Sequence, residues 1–223
     1  MSDMAAGWAS GRPAVTVTWG YLAAYVGGIL LGGRLYPDLS TTGWVYLGLA
    51  LAGFGLFRRD FREGLSLWAR RPAASFAWTA GGLLGAAVLS TAASLVPYAL
   101  GADDPPNAGR IFTLVQERGM VFAVIAAAIS GPAVEEIVYR LAMIGRLSSR
   151  LPMPICVIGS SLVFAAIHLG GLGLKDLSSV LPHLAVGLVL ATAYWRTRNI
   201  TVPVAIHVIY NLMGLATVAA SLG

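Results

Sequence analysis

Gly131-Pro132-Ala133-Val134-Glu135-Glu136-Ile137-Val138-Tyr139-Arg140 sets two acids and a base inside a chain that is otherwise apolar for many residues before it. An ionisable side chain at membrane depth costs about 2.5–3.5 kcal/mol on insertion scales, so such residues face a protein interior or a water-filled cavity and mark a site. On a helix Glu136 and Arg140 are i and i+4, on one face and able to pair, while Glu135 is turned about 100° from Glu136. The spacing predicts one clamped acid, Glu136, and one free acid, Glu135. A carboxylate fixed by an arginine is structural, whereas its neighbour, desolvated beside a like charge, is suited to act as a general base. The same residues also fit a structural ion-pair knot between membrane helices, as transporters and channels contain. Gly131-Pro132, just ahead of the acids, predicts a kink that frees backbone carbonyls and lines a cavity.

Outward from this stretch the chain is 57% hydrophobic and only 11% charged over 223 residues, where soluble domains carry about 25% charged residues. The fold class is therefore all-α, a polytopic transmembrane helical bundle. At about 20 residues per crossing, the apolar runs predict seven spans near 14–32, 42–57, 74–100, 119–144, 153–174, 178–196 and 203–221, the second short for a full crossing. A single integral-membrane domain over residues 1–223 is the simplest organisation. Residues 1–13 read as a short disordered tail. The first span, without a small-residue cleavage signature behind it, reads as a retained helix rather than a signal peptide. Cys156 is alone, so neither a disulfide framework nor a thiolate metal cluster arises.

The net charge of +5 comes almost wholly from arginine, since Lys175 is the sole lysine. Counting loops alternately, Arg12, Arg58, Arg59, Arg62, Arg70, Arg71, Arg146, Arg150, Arg196 and Arg198 fall on one side. Arg34, Arg110, Arg118 and Lys175 fall on the other, accompanied by five acids. The positive-inside rule then places the N-terminus in the cytoplasm and, with seven spans, the C-terminus outside. Between the second and third spans, Phe57–Arg71 mixes arginines with Phe61, Leu65, Leu67 and Trp68, and reads as a helix lying in the cytoplasmic interface against anionic headgroups. Tethering at the membrane argues against nucleic acid as a partner. The loop after the third span is rich in turn residues and long enough to form a short surface helix.

Two further spans carry polar residues at helical spacing. Phe164-Ala-Ala-Ile-His168 puts an aromatic ring and a histidine on one face, and His207-Val-Ile-Tyr-Asn211 does the same for a histidine and an amide. In order, Glu135-Glu136-x-x-x-Arg140, Phe164-x-x-x-His168 and His207-x-x-x-Asn211 resemble the three motifs of the CPBP intramembrane proteases. That family includes the type II CAAX prenyl endopeptidase of the endoplasmic reticulum and bacterial proteins linked to bacteriocin processing and immunity. Tyr194–Ile200 looks like the family's lead-in to its last motif. The resemblance covers residues 119–213, while residues 1–118 match in hydropathy only.

The resemblance implies an intramembrane endopeptidase acting on a membrane-associated peptide or protein. It implies that Glu135 with His168 activates water, that His207 and Asn211 stabilise the oxyanion, and that Glu136 with Arg140 orients the helix. These roles agree with what peptide hydrolysis requires, a base and oxyanion donors. Phe164 reads as packing against His168. No cofactor is favoured; Glu135, His168 and His207 would be the ligands if zinc is present, but a His-Glu-x-x-His helix is lacking. A flat helical count separates His168 from Glu135 by about 10–15 Å in depth, a gap the fold must close. His183, at the start of the sixth span, reads as an interfacial or supporting residue. The arginine-over-lysine, alanine-rich composition suggests a bacterial plasma membrane, where prenylated substrates are not expected. A non-hydrolytic immunity or scaffold protein of the same fold is the alternative; a transporter lacks the inverted repeat of broken helices.

Overall fold

The computed structural model describes residues 15–31, 39–101, 106–169 and 173–220. The expected N-terminal tail, Arg34 and Asp38 in the first turn, and Asp103-Asp104 lie outside the described residues. Among those described, all regular structure is helical. In chain order the helices are α1 (Val15–Val26, widened into a π turn at Gly27–Leu31), α2 (Leu39–Leu56), α3 (Arg58–Arg70), α4 (Pro72–Ala99) and α5 (Pro106–Arg118). There follow α6 (Met120–Leu147), α7 (Met153–Ala166), α8 (Leu174–Ser179), α9 (Leu181–Thr197) and α10 (Thr201–Ala220).

Four helices, α4, α6, the run through α8 and α9 from Asp176 to Thr197, and α10, are long and apolar enough to cross a membrane. The remaining expected spans fall on the shorter apolar helices α1, α2 and α7, of 10–17 residues in their apolar part, below the roughly 20 residues of an untilted crossing. α6 is central: 67% of its most apolar 18-residue window is buried, against 22% for α4. The opening motif is its most enclosed part, with every residue from Gly131 to Arg140 buried.

α4 shows the inside-out pattern of a lipid-facing helix. Ser75, Thr79, Gly82, Ala86 and Ser90 form its buried stripe, while Phe76, Leu84, Val88 and Leu95 are exposed. Small residues let helices approach closely where no hydrophobic drive holds them together, and α4 lies against α9 and α10 along this stripe. The Ser90 and Tyr210 hydroxyls, 2.9 Å apart, tie α4 to α10.

α3 sits where the interfacial helix was expected. Arg58, Arg59, Arg62 and Arg70 are exposed, Phe61 packs towards the core, and Trp68 meets the Phe76 ring edge-on at 4.9 Å. Asn199 binds it to the bundle, donating from Nδ2 to the Gly64 carbonyl at 3.0 Å and accepting from the Thr201 N–H and hydroxyl at 3.0 and 2.7 Å at the start of α10.

α6 does not break at Gly131-Pro132. It stays continuous and widens into π turns on both sides of the motif, at Val124–Ser130 and Ile137–Ile144. The proline is accommodated because its missing N–H falls at the boundary between π and α spacing, leaving one carbonyl to be met from another helix. The helical hairpin of α1 and α2 closes over the motif, with the Tyr21 hydroxyl donating to the Leu49 carbonyl at 2.9 Å.

Gly53 makes this closure possible. A Cβ there would stand 2.6 Å from Ile137 Cδ1 and 2.8 Å from the Tyr21 hydroxyl, whereas one on Gly55 would meet nothing within 4 Å. Overpacking costs about 1–3 kcal/mol. Gly53→Val is therefore expected to lower stability in detergent by that order, while Gly55→Ala leaves it unchanged or raises it; equal midpoints for the two variants in thermal unfolding would refute the close approach.

Candidate active site

The clamped acid is where the i,i+4 spacing puts it. Arg140 Nε lies 3.1 Å from Glu136 Oε2, with both side chains fully enclosed. The pair is held by charge more than by an aligned hydrogen bond, since neither atom has hydrogen-bond geometry with a partner. The guanidinium is also met from two other helices: Nη2 donates to the Gly187 carbonyl at 3.1 Å, and Cζ stands 5.0 Å from the Phe164 ring centre, within cation–π range, while Nη1 has no hydrogen-bond partner. Gly187 helps α9 come this near, because a Cβ would sit 3.0 Å from Phe164 Cδ1 and 3.3 Å from Ser161 Cα.

His207, buried on α10, spans the two acids. Its Nδ1 is 2.9 Å from Glu136 Oε1, and its Nε2 is 3.8 Å from Glu135 Oε2. A carboxylate only accepts, so Nδ1 carries a hydrogen towards Glu136. Nε2 is then the ring edge turned to Glu135, at a separation that a bridging water can close with contacts of about 2.8 Å to each. Glu135 is the less enclosed acid, 7% exposed against 0% for Glu136. Its Oε1 accepts from the Tyr46 hydroxyl at 3.0 Å, and its Oε2 faces His207.

His168 joins this group through an aromatic ring. Phe164 is 5.1 Å from the His168 ring and 5.7 Å, edge-on, from the His207 ring, so it is a packing hub, as its spacing suggested. α7 ends at Ala166. His168 lies in the turn beyond, with Nδ1 2.9 Å from the Phe164 carbonyl. A carbonyl only accepts, so Nδ1 is the donor and the lone pair of the neutral ring lies on Nε2. His183, without a partner in the sequence reading, stacks on His168 with ring centres 4.1 Å apart and planes 19° from parallel.

Asn211, expected to donate to an oxyanion, also makes a contact within the bundle. Its Nδ2 donates to the Ala127 carbonyl at 3.0 Å. The reason lies in the widened turn: the Gly131 N–H bonds five residues back to Ala126, so the next donor in π register towards Ala127 would be residue 132, a proline without an N–H. Asn211 supplies the missing donor, and its second amide hydrogen remains for another acceptor. On the other side of the motif, Ser160 Oγ donates to the Tyr139 carbonyl at 2.8 Å.

The fold thus brings Glu135, Glu136, Arg140 and His207 into one cluster, adds His168 through Phe164, and sets Asn211 one turn beyond His207. Among the described residues, no group of three or more His, Cys, Asp or Glu side chains is gathered so that it could hold a metal ion. Tyr46, Tyr25 and His183 are the polar neighbours that sequence reasoning did not connect to the site. Their contacts with Glu135, Tyr139 and His168 join residues far apart in sequence, and no local spacing signals them.

Comparison with known proteins gives two findings. The family described as type II CAAX prenyl endopeptidase Rce1-like matches residues 117–213. YdiL of Bacillus subtilis (strain 168), named as a candidate membrane peptidase, is 29% identical over 121 residues, which is 54% of this chain and 46% of that protein. The chain thus spans about half the length of this relative. No solved structure matches. The matched span holds all three motifs, from Glu135 to Asn211.

Proposed function

We propose that the chain is an intramembrane endopeptidase that hydrolyses a peptide bond of a membrane-associated protein or peptide, in a bacterial plasma membrane with its N-terminus in the cytoplasm. The observation that carries the reading is the approach of His207 Nε2 to Glu135 Oε2 at 3.8 Å, while Nδ1 of the same ring is engaged by Glu136 at 2.9 Å. With His207 protonated at both ring nitrogens, two carboxylates, Arg140 and the imidazolium sum to zero charge.

In this state Glu135 is the base and His207 Nε2–H a donor. Glu135 Oε2 takes a hydrogen from water, which His168 Nε2 orients by accepting the other. The water oxygen bonds to the peptide carbonyl carbon, and the oxyanion that forms accepts from His207 Nε2–H and the free Asn211 amide hydrogen. Glu136 stabilises the charge on His207 throughout. Glu135 then returns its proton to the nitrogen as the carbon–nitrogen bond breaks, leaving an acid and an amine. No step runs through a metal. Purified protein offered a library of membrane-anchored peptides, with products read by mass spectrometry, tests the activity; a library left intact by folded protein in bilayers favours a non-hydrolytic member of the same fold.

Glu135→Ala and His168→Ala are each expected to abolish cleavage while the protein still inserts and folds, and full activity in either would sink the mechanism. Glu136→Ala leaves Arg140 and His207 as buried charges without their acid, at a cost of about 3–5 kcal/mol. Its thermal midpoint should therefore fall further than that of Glu135→Ala, and the reverse order would refute the division between clamp and base.

Elemental analysis of active protein should find well under one equivalent of zinc, and chelator treatment followed by a zinc-free assay should leave the rate intact. Stoichiometric zinc lost together with activity would recast Glu135, His168 and His207 as ligands.

Asn211→Ala is expected to lower kcat by about 10²–10³ with little change in KM. Asn211→Asp sets an anion against the Ala127 carbonyl oxygen, so it should unfold at a lower temperature than Asn211→Ala and be slow at neutral pH. An Asp variant as stable and as fast as the parent would show that Asn211 neither braces α6 nor donates to the oxyanion.

A further inference from the structure

The segment matched by family begins at residue 117, yet one contact to the candidate base comes from well before it. Tyr46 lies within the apolar part of α2, Thr41–Leu56, where a phenolic hydroxyl has to find a partner inside the protein. It finds Glu135 Oε1 at 3.0 Å, across 89 residues of sequence. We propose that Tyr46 is a positioning residue for the carboxylate of Glu135, so that α1 and α2 complete the hydrolytic site from outside the matched segment; the inference rests on the reading of Glu135 as the base.

Donor counting sets the direction of the contact. The ionised carboxylate only accepts, so Tyr46 spends its one hydrogen on Oε1. Its oxygen is then left as an acceptor. Beside it, the Tyr25 and Tyr139 hydroxyls are hydrogen-bonded to one another at 3.0 Å, joining α1 to α6.

The result for Glu135 is an asymmetry between its oxygens. Oε1 is occupied by a phenol, and Oε2, facing His207 Nε2 at 3.8 Å, is left to take the proton of water. The same hydrogen bond fixes the carboxylate's rotation, which a glutamate with three rotatable side-chain torsions does not hold unaided. α2 is itself fixed by the Tyr21–Leu49 bond and the Gly53 approach.

The test uses full-length protein carrying Tyr46→Phe, Glu135→Ala or both, assayed on the peptide most rapidly cleaved from the membrane-anchored library. Tyr46→Phe keeps the ring and is expected to lower kcat about 10–100-fold, the size of a charge-assisted hydrogen bond, with KM within about twofold of the parent. A ring-fluorinated tyrosine at position 46, which keeps the O–H, should restore the rate. Parent-like kcat in Tyr46→Phe beside an inactive Glu135→Ala overturns the role of Tyr46 and leaves the base assignment standing. Full activity in Glu135→Ala removes the base assignment instead. Thermal unfolding of the four proteins is independent of any substrate: Tyr46→Phe should shift the midpoint in the parent and have little effect in the Glu135→Ala background. Equal shifts in both backgrounds overturn the inference.

Discussion

The ion pair of Glu136 and Arg140 is the constraint around which the helices are arranged. Taking two charges out of water costs several kcal/mol per ion, and their attraction repays this only when the remaining donors and lone pairs are also met. At 3.1 Å with both side chains enclosed, the pair cannot draw on solvent. Three helices supply what is missing: α9 offers the Gly187 carbonyl, α7 the face of Phe164, and α10 the His207 ring. Removing any of these helices would strand a charge, so the positions of α7, α9 and α10 around α6 follow from the chemistry of two residues.

The widened turns of α6 add a second demand of the same kind. Backbone groups at membrane depth must be paired within the protein, and π spacing beside a proline leaves a carbonyl without its intrahelical donor. Asn211 and Ser160 meet the Ala127 and Tyr139 carbonyls from α10 and α7. The i,i+4 pair His207 and Asn211 thereby binds one helix at two levels, through a charge and through a backbone group. The site is rigid because the residues proposed to touch substrate also close the packing of the helices that carry them.

Much of this was legible in the sequence because it is local. Run lengths of apolar residues located the helices, and the Glu136–Arg140 clamp follows from one turn of α geometry. The loop before α6 did form a helix, and Phe57–Arg71 did contain one, Arg58–Arg70. What depends on the path of the chain in space was not legible. His168 shares the Phe164 ring with His207 because α7 stops at Ala166 and the histidine folds back onto the Phe164 carbonyl in the turn beyond. The break expected at Pro132 became a widening, since a donor on a helix 84 residues away took over the freed carbonyl. The contacts of Tyr46 with Glu135 and of His183 with His168 join residues far apart in sequence, and only the tertiary fold makes them.

Because Glu136 and Arg140 are one turn apart on α6, their charges cancel within a single helix, without waiting for the rest of the chain. Synthesis runs from the N-terminus, so α6 is handed to the insertion machinery before α9 and α10 have been made. A lone buried carboxylate or guanidinium would then meet lipid without its counter-ion, at the full penalty of an intramembrane charge. The pair instead travels as a neutral unit, and α1 and α2, already present, hold Tyr46 ready for Glu135. His207 arrives later, on α10, so the cluster acquires its complete set of charges only once that helix has been made. Assembly of the reactive group is in this way delayed relative to insertion of α6, and a nascent chain stalled before α10 would carry the acids without the histidine that spans them.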